Sequence, residues 1–333
     1  MSEFQLLPYY HPNTILFVDD NSSFLEGLKL RIPPSLAYEM FTDPSKALDH
    51  LNTPVSIAPL ADRCFSLQDH DTSFESTAIY LDLTLIELEI SRATRFSPPA
   101  VVVVDYDMPM MNGLEFCQKI QNKKIQRILL TGVADEQIAI EAFNAGLIDR
   151  FIRKNDDHAL NTIFRYIDEL QKNYFANLVD KLSASLAMQP PQYYQENAVL
   201  EFITGILTDH NTLEYYMVYE PTGFLLVNSA GTVRRLVLQN SDNIANNIQY
   251  AVTHNAPPSI VSKLKGNKVL AFFYQQIDTH SDETYPWEDF IFTSEHIKGS
   301  EWHAAFVDSP PIDIEYQPDQ ASYNSYLQSL DDA

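Results

Sequence analysis

VVVVDYDMPMMNG, Val101 to Gly113, is the stretch that decides the fold. Four consecutive valines without alternation read as a strand buried on both faces, because β-branched residues suit a pleat and a helix-covered parallel sheet needs no polar side. The run stops at Asp105, which puts a carboxylate at the carboxyl end of a central strand, where open α/β sheets bind their ligands. Asp107, the Met108-Pro109 break and Gly113 form a tight loop behind it, and Leu114 onward reads as a helix. On its own, Asp105 is a metal ligand, a nucleophile or a helix N-cap.

Three more stretches end in the same fashion. TILFVDD, Thr14 to Asp20, closes on Asp19 and Asp20; RILLTG, Arg127 to Gly132, closes on Thr131; DRFIRK closes on Lys154. One parallel sheet would thus deliver acid, acid, hydroxyl and lysine to a single edge. LAYEMF, shorter and more polar, suits an edge strand. NSSFLEGLKLRI carries Phe24, Leu25 and Leu28 at helical spacing with Asn21 or Ser22 as cap, and TDPSKALDHL has Thr42 or Asp43 as cap and Pro44 in its first turn. LEFCQKIQN and ADEQIAIEAFNAGL supply the next two helices.

This constellation resembles the receiver domain of two-component response regulators, over Asn13 to about Asn155. The resemblance implies an α/β, flavodoxin-like, doubly wound parallel sheet and a phosphoacceptor site. Clustered carboxylates hold their charge around a divalent cation, and oxygen ligands beside a phosphoryl group suit Mg²⁺. In the family's pattern Asp20 and Asp105 hold that ion, Asp19 orients a metal-bound water, and the main-chain carbonyl of Asp107 completes the set. Asp105 is then the nucleophile toward phosphohistidine. Lys154 and Thr131 contact the phosphoryl group, Gly132 leaves room for it, and Phe151 is the switch aromatic. Asn155 stands where the family has proline, a departure in the loop that aims Lys154. Asp107 and Val133 occupy positions that tune the lifetime of the phosphorylated state in the family.

At 333 residues the chain is long enough for two domains. The sequence divides as 1–157, a receiver interrupted by an insertion at about 52–99; 158–191, a long linking helix; and 192–333, an α+β output domain with an acidic tail. The lead before Pro12 would pack Phe4 and Leu6 on the receiver. Within the insertion TAIYLDLTLIELEISRATRF is long enough to read as a helix, either covering the sheet and prolonging the second helix or acting as a partner-binding arm; His50 and His70 read as surface residues. From His158 to Met188 there is neither glycine nor proline, and Leu160, Ile163, Ile167, Leu170, Tyr174, Leu178 and Leu182 recur at helical spacing. Such a helix would span roughly 45 Å, either bridging into the second domain or forming a coiled-coil seam.

After Pro190-Pro191 and the helical ENAVLEFITGILTDH the period changes to two. LEYYMVYEP, TGFLLVNSA and TVRRLVLQN read as an antiparallel meander with PAS-like proportions, followed by helices at SDNIANNIQYAVTHN and PPSIVSKLKG and strands at KVLAFFYQ and EWHAAFVD. No Gly-rich phosphate loop, cyclase or phosphodiesterase motif, or basic recognition helix is present. Net charge is −23 with 22 Lys and Arg, which disfavours a nucleic-acid backbone. From Gln276 onward thirteen acids face Lys298 alone, so the end of the chain reads as solvated or as a short docking segment. Cys64 and Cys117 match no metal or redox spacing, and neither a signal pattern nor a membrane span is seen.

The whole chain also resembles the response regulators of α-hydroxyketone quorum sensing in Legionella-type bacteria, an architectural likeness that carries over no output-domain residue. The sequence thus reads as a cytoplasmic response regulator. On that reading it would accept a phosphoryl group on Asp105 from a sensor histidine kinase or phosphotransfer protein, and would signal by phosphorylation-dependent homodimerisation and protein association, with no DNA, membrane or enzymatic output expected. The alternatives are a nucleotide-binding or enzymatic output module, or a DNA-binding regulator.

Overall fold

The computed structural model describes residues 6–54, 57–68, 78–132, 135–188, 190–209, 211–274, 285–310 and 316–331. The chain forms two compact units, and neither is one contiguous stretch. One comprises His11–Asp62, Ala93–Lys181 and Tyr323–Ala333; the other comprises Met1–Tyr10, Arg63–Arg92 and Leu182–Ser322. The division expected from the sequence follows the chain from end to end, whereas these units exchange the lead, the insertion and the tail.

The first unit is a five-stranded parallel sheet in the order Tyr38–Phe41, Thr14–Val18, Pro99–Asp105, Gln126–Thr131, Arg150–Arg153. The first strand in sequence therefore lies inside the sheet, the flavodoxin-like order. Val101 to Val104 are buried to 1% exposure or less, as an unalternated valine run between two helical layers requires. Thr14–Val18 is buried throughout, while Tyr38–Phe41 is only half-buried, as its polarity suggested for an edge.

Helix starts follow their caps. Asn21 accepts the Phe24 N–H ahead of Ser22–Lys29, Asp43 accepts the Ser45 N–H ahead of Pro44–Asn52, and Asn112 accepts the Leu114 and Glu115 N–H groups ahead of Gly113–Lys119. Glu136–Asn144 is the next helix. The long helix expected to Met188 is instead Ala159–Leu178 followed by Asp180–Met188, broken at Val179. Val179 is fully buried, and the Asp180 carboxylate suits the N-terminus of a new helix. Ile163, Ile167, Leu170 and Tyr174 are buried, with the helix lying on the central strands of its own sheet, so this stripe is not a seam between protomers.

The second unit is a six-stranded antiparallel sheet in the order Tyr9–Tyr10, Glu214–Val218, Gly223–Val227, Val233–Gln239, His303–Asp308, Glu295–His296. The expected meander forms its middle. Val269–Ala271 pairs instead with Ile291–Thr293 in a separate ribbon, beside the helices Ser241–Thr253 and Pro258–Lys265. The lead belongs here and not to the parallel sheet: Tyr9 and Tyr10 pair with Tyr216 and Tyr215, and Leu6 is buried in this unit, while Phe4 lies outside the described residues.

The insertion is a second correction. Its helical reading breaks into a strand, Ala78–Leu81, paired antiparallel with Phe65–Gln68, then a short helix at Thr84–Leu88. Asp82 causes the change of state, accepting both the N–H and the hydroxyl of Thr84. Thr84–Leu88 packs on the strand Glu214–Val218, and buried Glu89 pairs with Arg63 and Arg92. His50 Nε2 lies 3.6 Å from a Glu39 carboxylate oxygen, and His70 is outside the described residues.

Candidate phosphoacceptor site

Every strand of the parallel sheet runs in one direction, so the residues that end Thr14–Val18, Pro99–Asp105, Gln126–Thr131 and Arg150–Arg153 share an edge. Oxygen atoms of Asp19, Asp20 and Asp105 lie within 4.8 Å of one another. Asp19 and Asp105 are buried and Asp20 is exposed. Asp19 Oδ1 accepts the N–H of Asn21 at 3.0 Å, which fixes the carboxylate as the chain turns into the first helix.

Lys154 reaches both buried acids. Its Nζ lies 2.6 Å from Asp19 Oδ2 and 2.9 Å from Asp105 Oδ1. Its own N–H donates to the Thr131 carbonyl at 3.0 Å, tying two strand ends together. Asn155 in place of proline therefore leaves the side chain aimed at Asp105. Lys154 Nζ also sits 4.6 Å from the centre of the Phe24 ring. Phe24 had read only as part of a helical stripe; its position five residues after Asp19 was the available signal.

The electrostatics follow from this crowding. Burial pushes the Asp105 carboxyl above its ordinary value, and Lys154, together with a backbone hydrogen bond from Asp107, offsets only part of the rise. Burial works to lower the Lys154 pKa, but hydrogen bonds to Asp19 and Asp105 and their charges outweigh it and hold the ammonium above its ordinary value. Two carboxylates sharing one ammonium are still short of positive charge, and exposed Asp20 adds a third.

Thr131 is fully buried, and its hydroxyl has no hydrogen-bond partner among the described residues. Such a group is costly unless something answers it. The N-cap alternative for Asp105 is answered by Asn112, which caps the following helix. Gly113 is demanded by close approach: a Cβ there would sit 2.4 Å from the Asp105 carbonyl oxygen. Asp107 is exposed in this loop, Phe151 is half-buried with its ring edge-on to Phe143 at 6.5 Å, and Val133 lies outside the described residues. Oxygen donors of three carboxylates, partly open through Asp20, fit a hard divalent cation such as Mg²⁺.

Residues 75–165 match the response regulator receiver domain family. The match takes in Asp105, Thr131 and Lys154, and the structure adds the strand Thr14–Val18 with Asp19 and Asp20, which the insertion separates from the rest. The chain therefore contains the receiver domain of a two-component response regulator. Along its length it is similar to the Legionella pneumophila response regulator LqsR: 27% identity, covering 98% of this chain and 96% of that one, with a TM-score of 0.72. Shorter matches include the receiver domain of the Francisella response regulator 1452, at 16% identity over 48% of this chain and 97% of that one with a TM-score of 0.32. An adenylate cyclase from Rhodopirellula baltica matches at 23% identity over 53% and 98%, with a TM-score of 0.36. No curated protein matches the chain. Among the described residues no helix is long and apolar enough to cross a membrane.

Proposed function

We propose that Asp105 accepts a phosphoryl group from a phosphohistidine of a sensor kinase or phosphotransfer protein. The observation that carries this reading is the Asp19–Asp20–Asp105 cluster with Lys154 Nζ 2.9 Å from Asp105. An Asp105 oxygen forms the new P–O bond while the P–N bond breaks, and the departing imidazole keeps the electron pair and takes a proton. Asp20, Asp105 and the main-chain carbonyl of Asp107 would hold Mg²⁺, with Asp19 orienting a water on it. When bound, the ion would neutralise charge on the phosphoryl oxygens. Lys154 pairs with the phosphoryl group then carried on Asp105, and the Thr131 hydroxyl donates a hydrogen bond to that group.

Drawing Thr131 toward the phosphoryl group frees space beside Phe151, and the neighbouring helix Glu136–Asn144 exposes Ile138 and Phe143, 40% and 42% respectively. Apolar side chains so placed suit a surface that forms a homodimer on phosphorylation. We propose further that the relay serves quorum sensing, a reading that the full-length likeness to the Legionella pneumophila response regulator LqsR supports. Light scattering with and without acetyl phosphate and Mg²⁺, on wild type and Asp105→Asn, tests the reading. A mass that doubles only in phosphorylated wild type supports it; equal masses in all four conditions remove dimerisation as the readout.

A further inference from the structure

Lys154 is held by more than its two acids. An ammonium offers N–H donors in three directions and no acceptor. Two of its contacts are carboxylates, Asp19 Oδ2 at 2.6 Å and Asp105 Oδ1 at 2.9 Å. The third is the Phe24 ring, whose centre lies 4.6 Å from Nζ, within the range at which an aromatic face attracts a cation.

The sequence gives up a local interaction to place that ring. Phe24 is the third residue of the helix Ser22–Lys29, which Asn21 caps. That is the position where a capping box puts Glu or Gln, whose side chain reaches back to the N–H of the cap residue. Phenylalanine has no acceptor to offer there, and Asp19 takes over the task. Its Oδ1 accepts the Asn21 N–H at 3.0 Å, while Asn21 Oδ1 accepts the Phe24 N–H at 3.1 Å. Nor does the core claim the ring, since the buried residues of this helix are Leu25 and Leu28 and Phe24 is half-buried. The contacts instead close a circuit. Asp19 fixes Asn21, Asn21 fixes the backbone of Phe24, the Phe24 ring meets Lys154, and Lys154 returns to Asp19.

Charge accounts for the choice of an aromatic. A glutamate here would set a fourth carboxylate beside Asp19, Asp20 and Asp105 and would compete with Asp105 for the ammonium. A ring face attracts the ammonium through its quadrupole and neutralises none of its formal charge. The geometry points to Phe24 as a positioning residue of the phosphoryl site: it steadies the Lys154 ammonium at Asp105 and leaves the full positive charge to answer a phosphoryl group. This role rests on Asp105 being the acceptor. An ammonium already in place when the donor arrives does not have to be ordered during the reaction.

The test compares wild type, Phe24→Leu and Phe24→Tyr as full chains with acetyl phosphate and Mg²⁺, below the lowest of the three Tm values. Leucine covers the ammonium without a ring face and is the better helix former, so the fold should hold. Phosphoryl uptake should slow by about two- to fivefold in Phe24→Leu, the range that a cation–π contact at a partly exposed site corresponds to. Phe24→Tyr, which keeps the face, should recover the rate. NMR gives a readout that needs no phosphoryl donor. The ε-methylene protons of Lys154 should lie upfield in wild type and Phe24→Tyr, shielded by the ring, and should return to ordinary shifts in Phe24→Leu. Three results would each overturn the inference and leave the phosphoacceptor reading standing: equal uptake in wild type and Phe24→Leu, uptake in Phe24→Tyr as slow as in Phe24→Leu, or ordinary Lys154 shifts in wild type. No uptake by wild type would overturn that reading, and this inference with it.

Discussion

At the carboxyl end of the parallel sheet Asp19 and Asp105 share Lys154, Asp20 adds further negative charge, and the Thr131 hydroxyl is left unpaired. At the amino end of the same sheet the ends are closed by the last helix of the chain, Tyr323–Asp331. The Tyr323 hydroxyl accepts the Ala37 N–H at 2.9 Å and donates to the Ser35 carbonyl at 3.0 Å, just ahead of the strand Tyr38–Phe41. The Tyr326 hydroxyl meets Thr14 Oγ1 at 2.6 Å where the inner strand begins. Both rings lie against fully buried Phe96, which precedes the central strand. One end gathers unsatisfied charge that the proposed phosphoryl transfer would use; the other satisfies its polar groups and buries aromatic area. Function and stability are therefore separable along the strand axis, and substitutions at the two ends should fail in different ways.

The largest effect expected is at the carboxyl end. Asp105→Asn should lose all incorporation of phosphoryl groups from acetyl phosphate, since an amide does not attack phosphorus as a carboxylate does. The same change removes a raised-pKa carboxyl from a crowded acidic cluster, so stability should hold or rise. Phosphate incorporation that persists in the variant would move the acceptor elsewhere. Tyr323→Ala should do the converse. Losing a fully buried aromatic costs about 3–5 kcal/mol, read as a lower urea midpoint, while the folded fraction still accepts phosphate. A Tyr323→Ala protein as stable as wild type would mean that the last helix does not close this end.

How far each end could be read beforehand follows from the range of the interactions. The carboxyl end was legible because each of its residues terminates an apolar run, and parallel strands bring such termini together whatever the loops do. Asp19, Asp20, Asp105, Thr131 and Lys154 needed only local pattern. The amino end was legible only in part: the acidic terminal stretch read as solvated or as a short docking segment, and nothing local says that Tyr323 meets Ala37 across the whole chain. For the same reason the lead and the insertion were given to the wrong unit: Tyr9 pairs with Tyr216, and no periodicity near Tyr9 points there. The break at Val179 was hidden because the apolar stripe continues through it to Leu182.

Lys154→Met sharpens the comparison at intermediate size. It leaves Asp19 and Asp105 buried without their cation, which in EDTA should cost about 1–2 kcal/mol given that Lys154 is itself partly solvated. Adding Mg²⁺ should recover most of that loss, because a cation binding only the folded state stabilises it by mass action. Asp20→Ala should abolish the recovery. A Lys154→Met protein whose Tm is the same in EDTA and Mg²⁺ would separate the acidic cluster from metal binding.

The smallest effect belongs to the closed end and depends on pH. Burial raises the pKa of Tyr326 and the negative charge of Glu39 raises it further, against the hydrogen bond with Thr14, which works to lower it. The folded state thus holds this proton more tightly than the unfolded chain, whose tyrosines titrate near about 10. Its contribution is complete below that value and is lost as pH rises through the higher folded pKa. Other buried tyrosines titrate in the same range, so the informative quantity is the difference between wild type and Tyr326→Phe. At neutral pH wild type should be the more stable by about 0.5–1.5 kcal/mol, the net worth of one hydrogen bond. Above pH 10 ionisation must either break the Thr14 contact or bury a phenolate, and the difference should shrink and then reverse. Parallel Tm curves for the two proteins across that range would show that the Tyr326 hydroxyl takes no part in closing the sheet.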